Sequence, residues 1–278
     1  MPSFLEKLKS ACHTSKSLLC VGLDPDPSLM PVSDVLQFNR AIVDATRDLV
    51  SAYKPNLAFY EALGFEGLHA LYSTIEHIRV TAPGVIILGD GKRGDIASTN
   101  KGYAKALFEF WGFDAATVNP YAGGESLEPF LDYEDRGIFI WCRSSNPGAK
   151  EFQDLALSTP GTSMLLFQRV ALQAAQWNSR RNVGLVVGAT YLEELKWVRS
   201  ACPGMPILIP GLGAQGGELE KAVAFGIEKD GHHALFNASR QVLYASREKH
   251  NFAQGARRVA QELCKRINGV LEAEGRGW

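Results

Sequence analysis

Short apolar runs recur along the chain, separated by polar or glycine-bearing turns and stretches of helical spacing. There are eight: Ser17–Leu23, Leu49–Pro55, Val85–Leu88, Ala115–Asn119, Gly137–Cys142, Val183–Val187, Pro206–Ile209 and Ala234–Asn237. They lack in–out alternation, which is the pattern of strands covered on both faces, as in a parallel sheet. Between them apolar residues return at helical intervals. Phe65, Leu68, Leu71, Tyr72, Ile75 and Ile78 predict one inward stripe, and Tyr103, Leu107, Phe110 and Trp111 a second. Phe252, Ala256, Val259, Leu263, Ile267 and Val270 predict a long C-terminal one. Strand–helix alternation eight times over in 278 residues is the arithmetic of an α/β fold of the (β/α)8, or TIM barrel, type. A doubly wound open sheet gives the same alternation, so periodicity leaves both open. Phe4, Leu5, Leu8, Ala11 and Cys12 within Met1–Ser15 predict an extra N-terminal helix beneath a barrel. The longest connection, Ser144–Asn182, holds a polar loop and a helix expected near Ser163–Trp177. No linker or low-complexity tract interrupts the pattern, and residues 1–278 read as one domain.

Composition narrows the function classes. The 29 basic and 30 acidic residues leave a net charge of −1, which argues against nucleic acid or an anionic membrane as partner. A local anion site remains compatible with that balance. No apolar run approaches the roughly 20 residues that cross a bilayer, and Met1–Ser17 lacks the apolar centre of a signal peptide. Cys12, Cys20, Cys142, Cys202 and Cys264 are odd in number, far apart and without a Cys-x-x-Cys pair. Buried free thiols are expected, not a disulfide framework or structural zinc. The expected compartment is the cytoplasm.

In a barrel the active site lies at the carboxyl ends of the strands, so the residues that follow each run matter most. Asp24 follows the first run, Lys54 closes the second, and Asp90-Gly91-Lys92-Arg93-Gly94-Asp95 follows the third. Asn119 ends the fourth, Ser145 follows the fifth, Pro210 through Gln215 the seventh, and Ser239-Arg240 the eighth. Asp90 and Lys92 stand two apart, so in an extended segment both point the same way. A salt-bridged loop with Asp95 as a helix N-cap explains D-x-K-x-x-D as well as a catalytic cluster does. Lys54 on the preceding strand tips the balance. Packing two carboxylates and two ammoniums together is costly to desolvate, and function is the better reason for it.

Gly211-x-Gly213-x-x-Gly216 satisfies the dinucleotide fingerprint, but late in the chain, and Glu228 and Asp230 arrive before the next strand begins. A phosphate cradle fits better. Glycine-loop N–H groups and the following helix would bind the anion, and Arg240 would add a bidentate charge. His13, His69 and His77 fall in helical stretches, and His250 near a helix start. His232 and His233 are adjacent, with no carboxylate at ligand spacing, so no metal site is expected.

Together the Asp90-to-Ile96 motif with Thr99, Lys54, Pro210 through Gly217 and Ser239-Arg240 resemble the orotidine 5′-phosphate decarboxylase family. Tyr53-Lys54-Pro55-Asn56 and Asn119-Pro120-Tyr121 resemble its longer bacterial branch. The likeness runs from about Leu18 to Tyr244. It implies decarboxylation of orotidine 5′-monophosphate to uridine 5′-monophosphate in pyrimidine biosynthesis, without metal or organic cofactor. Lys54, Asp90, Lys92 and Asp95 would form an alternating charged tetrad. Lys92 would protonate the carbon that loses CO2, with Asp90 beside the departing carboxylate. Asp24 would bind ribose, Ser145 the pyrimidine, and Gln215 and Arg240 the phosphate, with Pro210 and Ser239 at the same end. Asp95 and Thr99 would reach into a neighbour's site, implying a homodimer with shared active sites. Asn119 departs from the family, since many relatives carry histidine there. The rival is a Mg²⁺-dependent sugar-phosphate enzyme of the same barrel superfamily, for which Glu61 and Asp114 are the conceivable extra ligands. A catalytically silent nucleotide-binding barrel would keep the phosphate loop but lose part of the tetrad.

Overall fold

The computed structural model describes residues 2–159, 162–212 and 218–278. Helix α1 (Phe4–Ser15) begins at a reciprocal capping box, in which the Ser3 N–H donates to Glu6 and the Glu6 N–H to the Ser3 hydroxyl. Its Phe4, Leu8, Ala11 and Cys12 are buried. The chain then runs β1 (Leu19–Leu23), α2 (Val35–Thr46), β2 (Ala52–Pro55), α3 (Leu57–Glu61), α4 (Gly64–Thr81), β3 (Ile86–Arg93) and α5 (Ala97–Lys105). It continues through β4 (Ala115–Val118), α6 (Gly124–Leu131), β5 (Gly137–Arg143), α7 (Lys150–Gln153), β6 (Ala156–Thr159), β7 (Thr162–Leu165) and α8 (Leu166–Trp177). The remainder is β8 (Val183–Val187), α9 (Leu192–Ala201), β9 (Ile207–Pro210), α10 (Glu218–Gly226), β10 (Ala234–Ala238), α11 (Arg240–Leu243) and α12 (Phe252–Ala273).

Strands β1–β5 and β8–β10 form a closed parallel barrel in the order β1-β10-β9-β8-β5-β4-β3-β2. Because β1 pairs with both β2 and β10, the open-sheet alternative is ruled out and the fold is a (β/α)8 barrel. α1 closes its amino end, where Phe4 meets Phe139 edge-on at 5.8 Å. Among the described residues no helix is long and apolar enough to cross a membrane.

Two strands deviate at their carboxyl ends. Along β3 the partner of Gly89 is Ala116 and that of Arg93 is Val118, so β3 bulges between them. Along β5, Trp141 pairs with Val186 and Arg143 with Val187, a second irregularity. Bulges of this kind re-aim side chains beside active sites.

The expected stripes need correction in three places. Phe65 is 92% exposed and Tyr72 is exposed too, because α4 buries Gly67, Ala70, Leu71, Thr74, Ile75 and Ile78 instead. Small residues and the hydrogen-bonded Thr74 thus take inward positions that an apolar-only reading skips. Phe110 is 65% exposed, since α5 passes into a π-turn over Ala106–Phe110 and the helical phase shifts. The helix expected from Ser163 starts at Leu166, and the residues before it form the antiparallel hairpin β6–β7, outside the barrel.

Candidate active site

A cavity of about 760 Å³ opens at the carboxyl rim, a size suited to a small metabolite. The register places Lys54 of β2 opposite Gly22 of β1, and its ammonium is almost fully buried. Lys54 Nζ donates to Asp90 Oδ2 at 2.7 Å and stands 3.9 Å from Asp24 Oδ1. Lys92 Nζ donates to the other oxygen, Asp90 Oδ1, also at 2.7 Å. The Thr117 hydroxyl of β4 donates to Asp90 Oδ1 at 2.8 Å and accepts from the Lys92 N–H at 3.0 Å. The Trp141 ring lies 5.9 Å from Lys92 Nζ.

Burial pulls the Lys54 ammonium down, yet the facing carboxylates of Asp24 and Asp90 outweigh it and hold Lys54 above the ordinary lysine value. Burial likewise pushes Asp90 up, and Lys54 and Lys92 more than reverse that, leaving its carboxyl well below the usual range. Lys54 and Asp90 are therefore both charged at neutral pH. Asp90 and Lys92 do meet, but not as alternate residues of an extended strand. Lys92 has φ 44°, a left-handed conformation within the β3 bulge.

Asp95 and Thr99 are exposed and lie outside the lining of this cavity. Asp95 is not the N-cap of α5, which is Ile96 without a side-chain cap. The Asp95 carboxylate accepts from the Ile96 N–H at 2.7 Å. Buried Asn100 braces the Asp95 backbone on both sides, accepting from its N–H at 3.0 Å and donating to its carbonyl at 2.8 Å. This turn presents Asp95 outward beside Ile96, itself 63% exposed.

Ser145, Pro210, Ser239 and Arg240 line the same cavity as Asp24, Lys54, Asp90 and Lys92. Gln215 lies outside the described residues. Ser239 presses on β1 so closely that a Cβ at Gly22 would fall 1.9 Å from its Oγ, which explains the glycine there. Arg143, fully buried at the end of β5, sits 2.9 Å from Asp154, donates to Gln153 and lies 3.8 Å from the Tyr191 ring centre. Gln153 in turn accepts from the Ser144 N–H at 2.9 Å, so the connection after β5 is anchored right where Ser145 enters the cavity.

Thr117, Trp141, Asn100 and Tyr244 were not expected from sequence. Thr117 alone had a signal, being a hydroxyl inside an apolar run. Of the extra ligands a metal-dependent rival would need, Asp114 is at the wrong end of the barrel. It precedes β4, accepts from the Ile87 N–H at 2.9 Å and pairs with Arg79 at 2.9 Å. Glu61 pairs with Arg93. Among the described residues no group of three or more His, Cys, Asp or Glu is arranged to hold a metal ion. All five cysteines are free thiols, four of them buried.

A closed parallel barrel that gathers buried opposite charges around a metabolite-sized cavity at its carboxyl rim is built as an enzyme of the TIM-barrel class. The sequence matches the Orotidine 5′-phosphate decarboxylase / HUMPS family over residues 17–254. A Dehalococcoides mccartyi protein named orotidine 5′-phosphate decarboxylase is 51% identical over 266 residues, spanning 95% of this chain and 97% of its own. One of the same name from Thermomicrobium roseum is 48% identical over 275 residues, spanning 96% of each. The solved OMP decarboxylase of Leishmania donovani superposes with a TM-score of 0.84 at 35% identity, covering 97% of this chain and 98% of that one. The chain belongs to the orotidine 5′-phosphate decarboxylase / HUMPS family, and is a carboxy-lyase.

Proposed function

We propose that the protein decarboxylates orotidine 5′-monophosphate to uridine 5′-monophosphate in pyrimidine biosynthesis, with no metal or organic cofactor. The observation that carries this reading is Lys92 Nζ, held 2.7 Å from Asp90 at the wall of the rim cavity. Breaking the bond between C6 and the carboxylate leaves the electron pair on a vinylic carbon with no sink in the substrate. A fixed ammonium stabilises that charge as it develops, and then supplies the proton. CO2 departs, Lys92 gives a proton to C6, and solvent restores the ammonium. Lys54 and Asp90 keep Lys92 in place, and Lys54 links the charged row to Asp24, which binds ribose. Ser145 contacts the pyrimidine. Arg240, Gln215, Pro210 and Ser239 form the phosphate end, whose remote binding energy serves the reacting carbon.

Asp95 completes the tetrad of a second copy, with Thr99 beside it, in a homodimer of shared sites. The outward turn at Asp95, braced by Asn100 and flanked by exposed Ile96, supports that arrangement. The near-neutral charge and free thiols fit a cytoplasmic enzyme whose partner is a small nucleotide, not nucleic acid or a membrane.

The test is the ultraviolet spectrum of orotidine 5′-monophosphate mixed with the purified protein in chelator. Loss of the orotate band with formation of uridine 5′-monophosphate is the expected result. Binding without spectral change would indicate a silent nucleotide-binding barrel. Neither turnover nor binding, with activity on a sugar phosphate once Mg²⁺ is restored, would put the protein with the metal-dependent rival.

A further inference from the structure

The carboxyl end of β1 is held by two tyrosines from distant parts of the chain. Tyr60 donates its hydroxyl proton to the Leu23 carbonyl at 3.0 Å, while accepting from Asn39 Nδ2 at 2.9 Å. One residue further on, the Tyr244 hydroxyl donates to the Asp24 carbonyl at 2.9 Å and accepts from the Asp26 N–H at 2.7 Å. A single phenol thus bridges both sides of Pro25, which has no N–H of its own to fix the turn. Asp26 spends its carboxylate locally, on the N–H and hydroxyl of Ser28.

Tyr244 itself is well anchored. Its ring stacks on fully buried Phe38 at 5.9 Å and 13°. Burial pushes its phenol up to about 12, so the hydroxyl keeps its proton at neutral pH. It directly follows α11, whose first residue is Arg240. What the latch holds is also unusual. Asp24 Oδ1 is buried with no hydrogen-bond partner among the described residues, and faces Lys54 Nζ at 3.9 Å on the cavity wall. A buried carboxylate oxygen without a donor is expensive unless a ligand completes it.

We infer that Tyr244 is a positioning residue, which fixes the turn around Pro25 so that the Asp24 carboxylate is preset for the ribose, and ties that turn to the segment carrying Arg240. The inference rests on the decarboxylase reading above. It adds a coupling between the two ends of the nucleotide. The Arg240 segment and the Asp24 turn share one side chain, so displacing either moves the other.

Tyr244→Phe removes the hydroxyl and keeps the ring on Phe38. The expected result is a rise of about tenfold in KM for orotidine 5′-monophosphate with kcat little changed, the signature of lost uniform binding. In an Asp24→Ala background the same substitution should cost kcat/KM well under about tenfold, because the share that acts through Asp24 is already lost and residues that act through one another are not additive. A purely structural role would cost the same in both backgrounds, and that result would overturn the inference. Calorimetric titration with uridine 5′-monophosphate gives a readout that needs no turnover. Its Kd should rise by about tenfold in Tyr244→Phe, and an unchanged Kd would also overturn it. A wild-type protein inert toward orotidine 5′-monophosphate would sink the underlying function instead. An active wild type with an indifferent Tyr244→Phe would sink this inference alone.

Discussion

Thr117→Val replaces one hydroxyl by a methyl in a buried strand and keeps the branched shape that β4 packs. Two bonds disappear, the donation to Asp90 Oδ1 at 2.8 Å and the acceptance from the Lys92 N–H at 3.0 Å. A hydrogen bond to a charged group contributes ~1.5–3 kcal/mol, and a buried N–H left unpaired costs ~1–3 kcal/mol. Lys92 meanwhile holds φ 44°, a left-handed conformation that costs a non-glycine residue about 1–2 kcal/mol. The Thr117 oxygen is the acceptor that holds it there. If the bulge survives the substitution, stability falls by about 2.5–6 kcal/mol, equivalent to a loss of roughly 5–24 °C in Tm for a domain of this size. If the bulge relaxes, the strain is released and stability falls less, but Lys92 Nζ leaves its place. A displacement of about 1 Å can cost on the order of 100-fold in rate. Urea denaturation and the ultraviolet decarboxylation assay, run on one preparation, should therefore show a loss in at least one measure. Wild-type midpoint together with wild-type kcat/KM would refute the bracing role of Thr117.

Gly22→Ala would place a methyl 1.9 Å from Ser239 Oγ and push the Ser239-Arg240 segment outward. KM for the nucleotide should rise by about tenfold or more, given overpacking of ~1–3 kcal/mol, and an unchanged KM would show that this segment does not hold the phosphate. Lys92→Ala and Asp95→Ala should each abolish turnover. Mixing them should restore up to about a quarter of wild-type activity through heterodimers with one intact site, and no recovery despite proven subunit exchange would rule out a shared site. His232 and His233 at the barrel's amino end are held below the ordinary histidine value, first by burial, with Asp230 opposing it in both, and with His13 adding to it at His232 and Arg199 at His233. Their neutral forms therefore favour folding above about pH 6.5, the unfolded value, and that contribution is lost as pH falls toward their folded values. The urea midpoint should drop between pH 7 and 5 more steeply in wild type than in His232→Asn, and parallel curves would reject the assignment.

The barrel was legible because its strands are covered on both faces, so runs such as Val183–Val187 show no alternation and stand out from amphipathic helices. The cavity residues Asp24, Lys54, Asp90, Lys92, Ser145, Pro210, Ser239 and Arg240 were legible for a related reason, since a polar residue ending an apolar run must sit at a rim. What escaped notice depends on contacts between residues far apart in sequence. Tyr244 reaches the Asp24 carbonyl across 220 positions, and no local pattern encodes such a bond. The β3 bulge escaped because a register shift depends on the neighbouring strand. Hairpin β6–β7 is short and carries Ser158 and Ser163 at paired positions, so it offered neither an apolar run nor an alternating one. That Asp95 faces outward could not be read from spacing either. It follows from Asn100, which turns the chain away from the cavity after Gly94.

The placement of these charges also argues for what they do. Lys54 and Asp90 are both nearly buried and joined at 2.7 Å. Well-packed apolar residues of the same volume would hold the barrel at least as firmly, since desolvating an ion pair commonly offsets its attraction. Removing one member alone would be worse, leaving an uncompensated buried charge at a cost of about 3–5 kcal/mol. Stability by itself thus does not explain the pair. Its geometry does, once Lys92 is included. Asp90 divides its oxygens, Oδ2 toward Lys54 and Oδ1 toward both Lys92 and Thr117, so the carboxylate can neither rotate nor take up a proton readily. Only Lys92 keeps a partly exposed ammonium, and it is exposed toward the cavity. Asp90, itself held by Lys54 and Thr117, is a fixed carboxylate that aims the one accessible ammonium of this cluster into the cavity, the geometry that the proposed proton transfer to a carbanion requires.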